Sequence, residues 1–300
     1  MIFVRNSYII NLEYERTEIL AVRRKTKAYS PETYKKIEAF RLFDDTFMSK
    51  VFDGRKEETA LLLQIILDDT GIKVVSVHAQ VEIKNLQGRS VRLDIRARNS
   101  KGEIFAVEVQ RQDAGAKPKR ARYISSLIDG NILKTGKDFE KLPEAFVIFI
   151  TENDVLGGGK PIYNIDRTIQ QTGKSFGDMA HIIYVNGENK SKTKLGKLMQ
   201  DFHCTEAKDM NYKLLADRVR YFKETQKGRD TMCAIVEEYA AEKAREEVYQ
   251  ANRQAIIKGF KGGIITKEGA AVMYPKLKAA DIDALYQEAK KGSRKKAARA

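Results

Sequence analysis

Asp94 and Glu108 are the side chains whose type and spacing point most directly to chemistry. They lie in Val91-Arg92-Leu93-Asp94-Ile95-Arg96-Ala97 and Ile104-Phe105-Ala106-Val107-Glu108-Val109-Gln110, joined through Asn99-Ser100-Lys101-Gly102. On the first segment Val91, Leu93, Ile95 and Ala97 alternate with Arg92, Asp94, Arg96 and Arg98; the second also reads as a strand. A loop of Ser100, Lys101 and a left-handed Gly102 pairs Asn99 with Glu103, Asp94 with Glu108 and Arg92 with Gln110. Matching apolar faces favour this register; a two-residue loop would set Asp94 against Val107, on the wrong face. Opposed Cβ atoms lie about 4.5–5.5 Å apart. Two carboxylates so placed can grip a hard cation such as Mg²⁺, whose oxygen ligands sit at about 2.0–2.1 Å. Alternatively, Arg92, Arg96 and Arg98 neutralise them and the strand face is simply charged and solvated. Gln110 shares the face of Glu108 and can orient a water or contact a phosphate.

The elements that must position these residues are legible around them. Residues 57–68 read as a helix carrying Leu61, Leu62, Ile65 and Ile66, and Val75, Val77, Ala79, Val81 and Ile83 alternate as a strand. After the hairpin a helix is expected over 117–133, with Pro118 in its first turn. Residues 146–151 form a buried strand, and 162–169 and 182–185 are further candidates. The chain turns helical after Leu195, with one long helix over 232–260 and two shorter ones around Pro275. Ser30-Pro31-Glu32-Thr33 is a helix-start sequence. The expected organisation is a weakly ordered extension over 1–40, an α/β domain over 41–205, and a helical C-terminal region over 206–300 that ends in a disordered basic arm.

The 300 residues carry a formal charge of +14, which favours a polyanionic partner, most simply nucleic acid. No run approaches a membrane span, and the first residues lack the order of a signal peptide. Cys204 and Cys233 have no metal spacing and read as reduced thiols of a cytoplasmic protein. The scattered His78, His181 and His203 do not suggest a zinc site. Gly157-Gly158-Gly159-Lys160 lacks the spacing of a phosphate loop and is expected to be flexible.

At Asp94 and Glu108-Val109-Gln110 the chain resembles the PD-(D/E)XK nuclease superfamily, with Gln110 where the pattern has lysine. It is more closely similar to the PD-(D/E)XK nuclease family transposases, related to bacterial recombination-promoting nucleases. That resemblance covers residues 41–205. It includes Phe47-Met48-Ser49-Lys50-Val51-Phe52, Lys119-Arg120-Ala121-Arg122-Tyr123, Phe146 through Asp154, and Ile182-Ile183-Tyr184-Val185-Asn186.

The resemblance implies a restriction-endonuclease-like core, a mixed sheet flanked by helices, and an endodeoxyribonuclease dependent on Mg²⁺ or Mn²⁺ and linked to recombination or mobile elements. Asp94, Glu108 and the Val109 carbonyl would hold the metal, and Gln110 would orient the attacking water. Asp45 or Glu58 would add an acid. Arg120 and Tyr123 would meet the phosphate or support Glu108, while Lys117, Lys119 and Arg122 would contact the DNA backbone. The alternatives are an inactive nucleic-acid-binding protein on the same fold and an assembly protein acting through its C-terminal helices. Those helices could also make a homodimer.

Overall fold

The computed structural model describes residues 29–297 apart from 86, 87 and 276. Most of the expected N-terminal extension, residues 1–28, therefore lies outside the described residues. The remainder forms α1 (Pro31–Ala39), where the Ser30 hydroxyl accepts the Thr33 N–H at 3.2 Å and Pro31 fixes the first turn. Two helices follow, α2 (Asp45–Phe52) and α3 (Lys56–Leu67).

Then come β1 (Val74–Ile83), β2 (Val91–Asn99), β3 (Ile104–Gln110), α4 (Pro118–Ile132), β4 (Ala145–Thr151), β5 (Ile162–Ile165) and β6 (Ala180–Asn186). The strands make one mixed sheet in the order β1-β2-β3-β4-β6-β5. The β3–β4 and β4–β6 pairs are parallel and the rest antiparallel. A parallel β3–β4 pair needs a crossover, which α4 supplies.

The β2–β3 hairpin has the expected register. Ile95 pairs with Val107 and Arg98 with Ile104, Asn99 N–H donates to Glu103 at 3.2 Å, and Gly102 N–H donates to Asn99 at 3.1 Å. Gly102 adopts φ +92°, the left-handed conformation the loop requires. The Asn99 side-chain oxygen accepts the Lys101 and Glu103 N–H groups and closes the turn.

Strands β3 and β4 are almost wholly buried, which fits their near-continuous apolar runs. On one face Ile104, Ala106, Val147 and Phe149 pack with Ala121, Ile124 and Ile128 of α4. Val91 and Leu93 join this layer, whereas Ile95 is paired with Val107, on the face opposite Ala106. The simple alternation expected along β2 is therefore reset at Asp94, beside Gln80 with φ +53°. A second buried group includes Phe43, Phe47, Phe52 and Phe202, with Phe202 on α5 (Lys194–His203).

The chain divides into two compact units, the first reaching residue 233 and the second starting at 234. Helix α6 (Lys213–Glu224) lies in the first. Its Phe222 meets Phe47 edge-on, and the Lys223 ammonium donates to the Glu38, Phe40 and Thr205 carbonyls, with burial pushing it down to about 8. The remaining helices are α7 (Gln226–Lys261), α8 (Lys267–Met273) and α9 (Ala279–Ala297). In the second unit Ile256, Ala270, Ile282 and Leu285 form a small core of their own. Helix α9 continues to Ala297 through the stretch expected to be a disordered arm; its lysines, arginine and alanines are good helix formers. Among the described residues, no helix is long and apolar enough to cross a membrane.

Candidate active site

Asp94 and Glu108 meet where the β2–β3 ladder gives way to side-chain bonds. Beyond the Ile95–Val107 pair, the Asp94 N–H donates to Glu108 Oε1 at 3.2 Å, and the Val109 N–H donates to Asp94 Oδ2 at 2.9 Å. Each carboxylate thus satisfies a main-chain group on the opposing strand. On β3 the Gln110 carbonyl accepts from Glu152 on the β4 side, so Val109, one residue earlier, turns its N–H and carbonyl to the β2 side. Asp94, Glu108 and the Val109 carbonyl form a compact set of oxygen donors.

Both acids are buried, Glu108 completely. Desolvation pushes Asp94 up to about 6; the Val109 N–H opposes the shift and Asp45 adds to it. Desolvation, then the neighbouring Asp94 charge, pushes Glu108 up to about 8 against the pull of Arg120. The pair is short of positive charge. Its principal counter-charge is Arg120 on α4, which donates to Glu108 Oε2 at 2.6 Å and to the Gly115 carbonyl at 3.0 Å.

Gly115 also explains the placement of Gln110. A Cβ on Gly115 would fall 1.7 Å from Gln110 Oε1, so the amide lies directly against that glycine. Gln110, Gly115, Arg120 and Glu108 are linked in one cluster. No local sequence signal marks Gly115, because its need arises from contact with a side chain on another element.

Of the expected acids, Asp45 is exposed in the first turn of α2 and close enough to act on Asp94. Glu58 is buried near the start of α3, where its charge acts on Arg218. Tyr123 is committed elsewhere: its hydroxyl donates to the Arg89 carbonyl at 2.5 Å and accepts from Asn85 at 2.9 Å, tying α4 to the β1–β2 connection. Lys117, Lys119 and Arg122 are exposed on or beside α4.

A ring of ion pairs that the sequence did not reveal holds α2 in place. Arg111, just after β3, bonds Asp44 at 2.7 Å and Glu152 at 3.3 Å, while Arg41 bonds Glu152 at 2.8 Å. The Arg41 N–H closes the ring on Asp44 at 2.8 Å. Burial works against the Glu152 carboxylate, but Arg41 and Arg111 together hold it below its ordinary range. The ring fixes the start of α2, and with it Asp45, against the ends of β3 and β4.

The other loops and thiols are structural. The Gly157–Lys160 loop is tied down rather than free: Asp154 accepts the Gly157 and Gly159 N–H groups and the Tyr163 hydroxyl. Cys204 and Cys233 are free thiols.

Among the described residues, no group of three His, Cys, Asp or Glu side chains is arranged to hold a metal. A cation here would rest on Asp94, Glu108 and the Val109 carbonyl, with Asp45 at longer range. The fit is chemical. The donors are hard oxygens of the kind Mg²⁺ and Mn²⁺ take, and two desolvated acids face one arginine.

No curated protein and no solved structure gives a significant match to this chain. A family model described as PD-(D/E)XK nuclease family transposase matches residues 47–257, which include the hairpin and all its candidate ligands. With its mixed six-stranded sheet, helical flanks and helical C-terminal part, the chain belongs to the PD-(D/E)XK nuclease family transposases.

Proposed function

We propose that this protein is a divalent-metal-dependent endonuclease that hydrolyses DNA phosphodiester bonds, in the setting of bacterial recombination or a mobile element. The observation that carries the reading is the buried Asp94–Glu108 pair, each carboxylate bonded to the opposing strand and both raised by desolvation. Two carboxylates kept from water with one guanidinium between them are costly to ionise, and a divalent cation would supply the missing charge.

Bound there, the metal would lower the pKa of a water and polarise the phosphodiester. The chain's own residues do the rest. Asp94 and Glu108 provide anionic oxygens in fixed directions, because each is tethered by a main-chain N–H. Gln110, pressed on Gly115, presents an amide that can orient the attacking water, and lacks the charge a lysine would bring. Arg120 holds Glu108 in place. The exposed Lys117, Lys119 and Arg122 neutralise backbone phosphates and make binding salt-sensitive.

Gln110 favours one second reading, a nucleic-acid-binding protein on an inactive nuclease fold. Incubating supercoiled plasmid with the intact protein and Mg²⁺ or Mn²⁺, with and without EDTA, separates the two. Metal-dependent nicking or linearisation supports the nuclease; DNA binding without cleavage in either metal supports the second reading.

A further inference from the structure

A second feature of the same sheet has no part in the site above. Beyond the turn-side end of the active hairpin lies a cavity of about 330 Å³ lined by His78, Arg96, Arg98 and Lys141, with Ile132 and Pro143 in its wall. No carboxylate lines it. Among the described residues, no ion pair or side-chain hydrogen bond engages Arg96, Arg98 or Lys141. Three permanent cations and an imidazole around one recess are costly to assemble unless an anion joins them.

The cavity lies on the face that carries Glu108. Arg96 pairs with Ala106 and Arg98 with Ile104 across the hairpin, and His78 pairs with Arg96 on the other side. Ala106 and Ile104 precede Glu108 by two and four residues, so the arginines stand about 7 and 14 Å from it along the strand. The forks of Arg96 and Arg98 suit phosphate oxygens, and Lys141 adds a point charge. The apolar wall leaves room beside the anion for part of a sugar or base.

We propose that this cavity binds a phosphate of the nucleic-acid strand lying in the candidate active site, a short way from the bond to be cut. The inference rests on the nuclease reading above. It assigns Arg96, Arg98, Lys141 and His78 to substrate positioning rather than to chemistry.

The test is binding of a labelled single-stranded oligonucleotide by the intact, metal-free protein over a salt series. Arg98→Gln/Lys141→Gln changes two exposed residues. Its log–log salt dependence should be shallower than the parent's by about 1.4, or about 0.7 per lost phosphate contact. Arg96→Gln should do the same by about half as much, and Arg98→Lys/Lys141→Arg should restore the parent slope. Lys35→Gln/Lys36→Gln, with the same charge change on exposed residues of α1, should leave the slope near the parent's. Equal slopes in the parent and the folded cavity variants overturn the proposal while leaving the nuclease reading intact. Equal losses in the cavity and α1 double variants also overturn it, since net charge alone would then explain the effect. Failure of the parent to bind any strand overturns both.

Discussion

Arg120 donates to Glu108 at 2.6 Å from the helix that crosses between the two central parallel strands. Its other arm holds the Gly115 carbonyl, the residue against which Gln110 lies. One guanidinium therefore supports both the buried acid and the turn that places the amide. Arg120→Gln should leave Glu108 buried without its partner, at a cost of about 1–3 kcal/mol, toward the lower end because Arg120 is about a third exposed. Glu108 should then hold its proton to higher pH. Arg120→Lys should recover part of the stability but little of the activity, since one ammonium does not reproduce the fork. Denaturant titration and a pH–activity profile measure the two effects.

The pair also makes stability depend on pH in a definite direction. Glu108 rises to about 8 and Asp94 to about 6, from ordinary values of 4.5 and 3.8. Between those limits the folded chain keeps protons that the unfolded chain has released, so stability falls as pH rises. The metal-free protein should lose Tm from pH 5 to pH 8.5, and Glu108→Gln should lose less. Mg²⁺ should restore Tm most at the alkaline end, where it need not displace a proton. Calorimetry across that range, with and without Mg²⁺, reads both trends; a metal-free Tm that rises through this window contradicts the account.

Asp45 and the ion-pair ring make a separate prediction. Asp45 raises Asp94, so Asp45→Asn should move the acid limb of metal binding to lower pH while weakening affinity. Glu152→Gln should leave Arg41 and Arg111 without their shared partner, cost about 1 kcal/mol, and loosen the start of α2. Its metal affinity should fall together with a shift of the pH limb in the direction of the Asp45 variant. A loss of stability with both metal-binding measures unchanged would assign the ring to folding alone.

Gly115→Ala tests Gln110 without changing it. The added methyl would collide with Oε1 of the amide, the flexible end of the side chain, so the protein should fold with little loss. Cleavage should fall by about tenfold to a hundredfold through misplacement of that group, with metal affinity close to the parent's. Gln110→Ala should show the same division between kcat and metal binding. Normal turnover in both variants would remove Gln110 from the chemistry.

The parts of this fold legible in the sequence are those set by local rules. The Ser100-Lys101-Gly102 loop and matching apolar faces determine the hairpin register, and Gly102 takes the conformation the turn demands. Pro118 marks the start of α4, and the apolar run over 145–151 marks the buried β4. Contacts between distant segments are not legible in this way. The ring joins Asp44, Arg111 and Glu152 through partners 67 and 41 residues apart, and nothing local indicates that these charges meet. Asp45 and Glu58 are equivalent by type; only tertiary placement brings Asp45 within electrostatic reach of Asp94. Tyr123 shares a helix face with Arg120, but its hydroxyl serves Asn85 and Arg89. The reset of β2 at Asp94 also escapes a period-of-two reading, because it depends on carboxylates replacing ladder bonds.

The most direct measurement is cleavage of supercoiled plasmid in Mg²⁺ by the parent, Asp94→Asn and Glu108→Gln, each first shown to be folded and to bind the plasmid. Both replacements retain size and a carbonyl acceptor while removing the anionic oxygens a metal needs. The account predicts that the parent nicks or linearises the plasmid, that EDTA abolishes this, and that both variants bind DNA but do not cut. A parent that leaves the plasmid intact in Mg²⁺ and Mn²⁺, or variants that cut as fast as the parent, would contradict it.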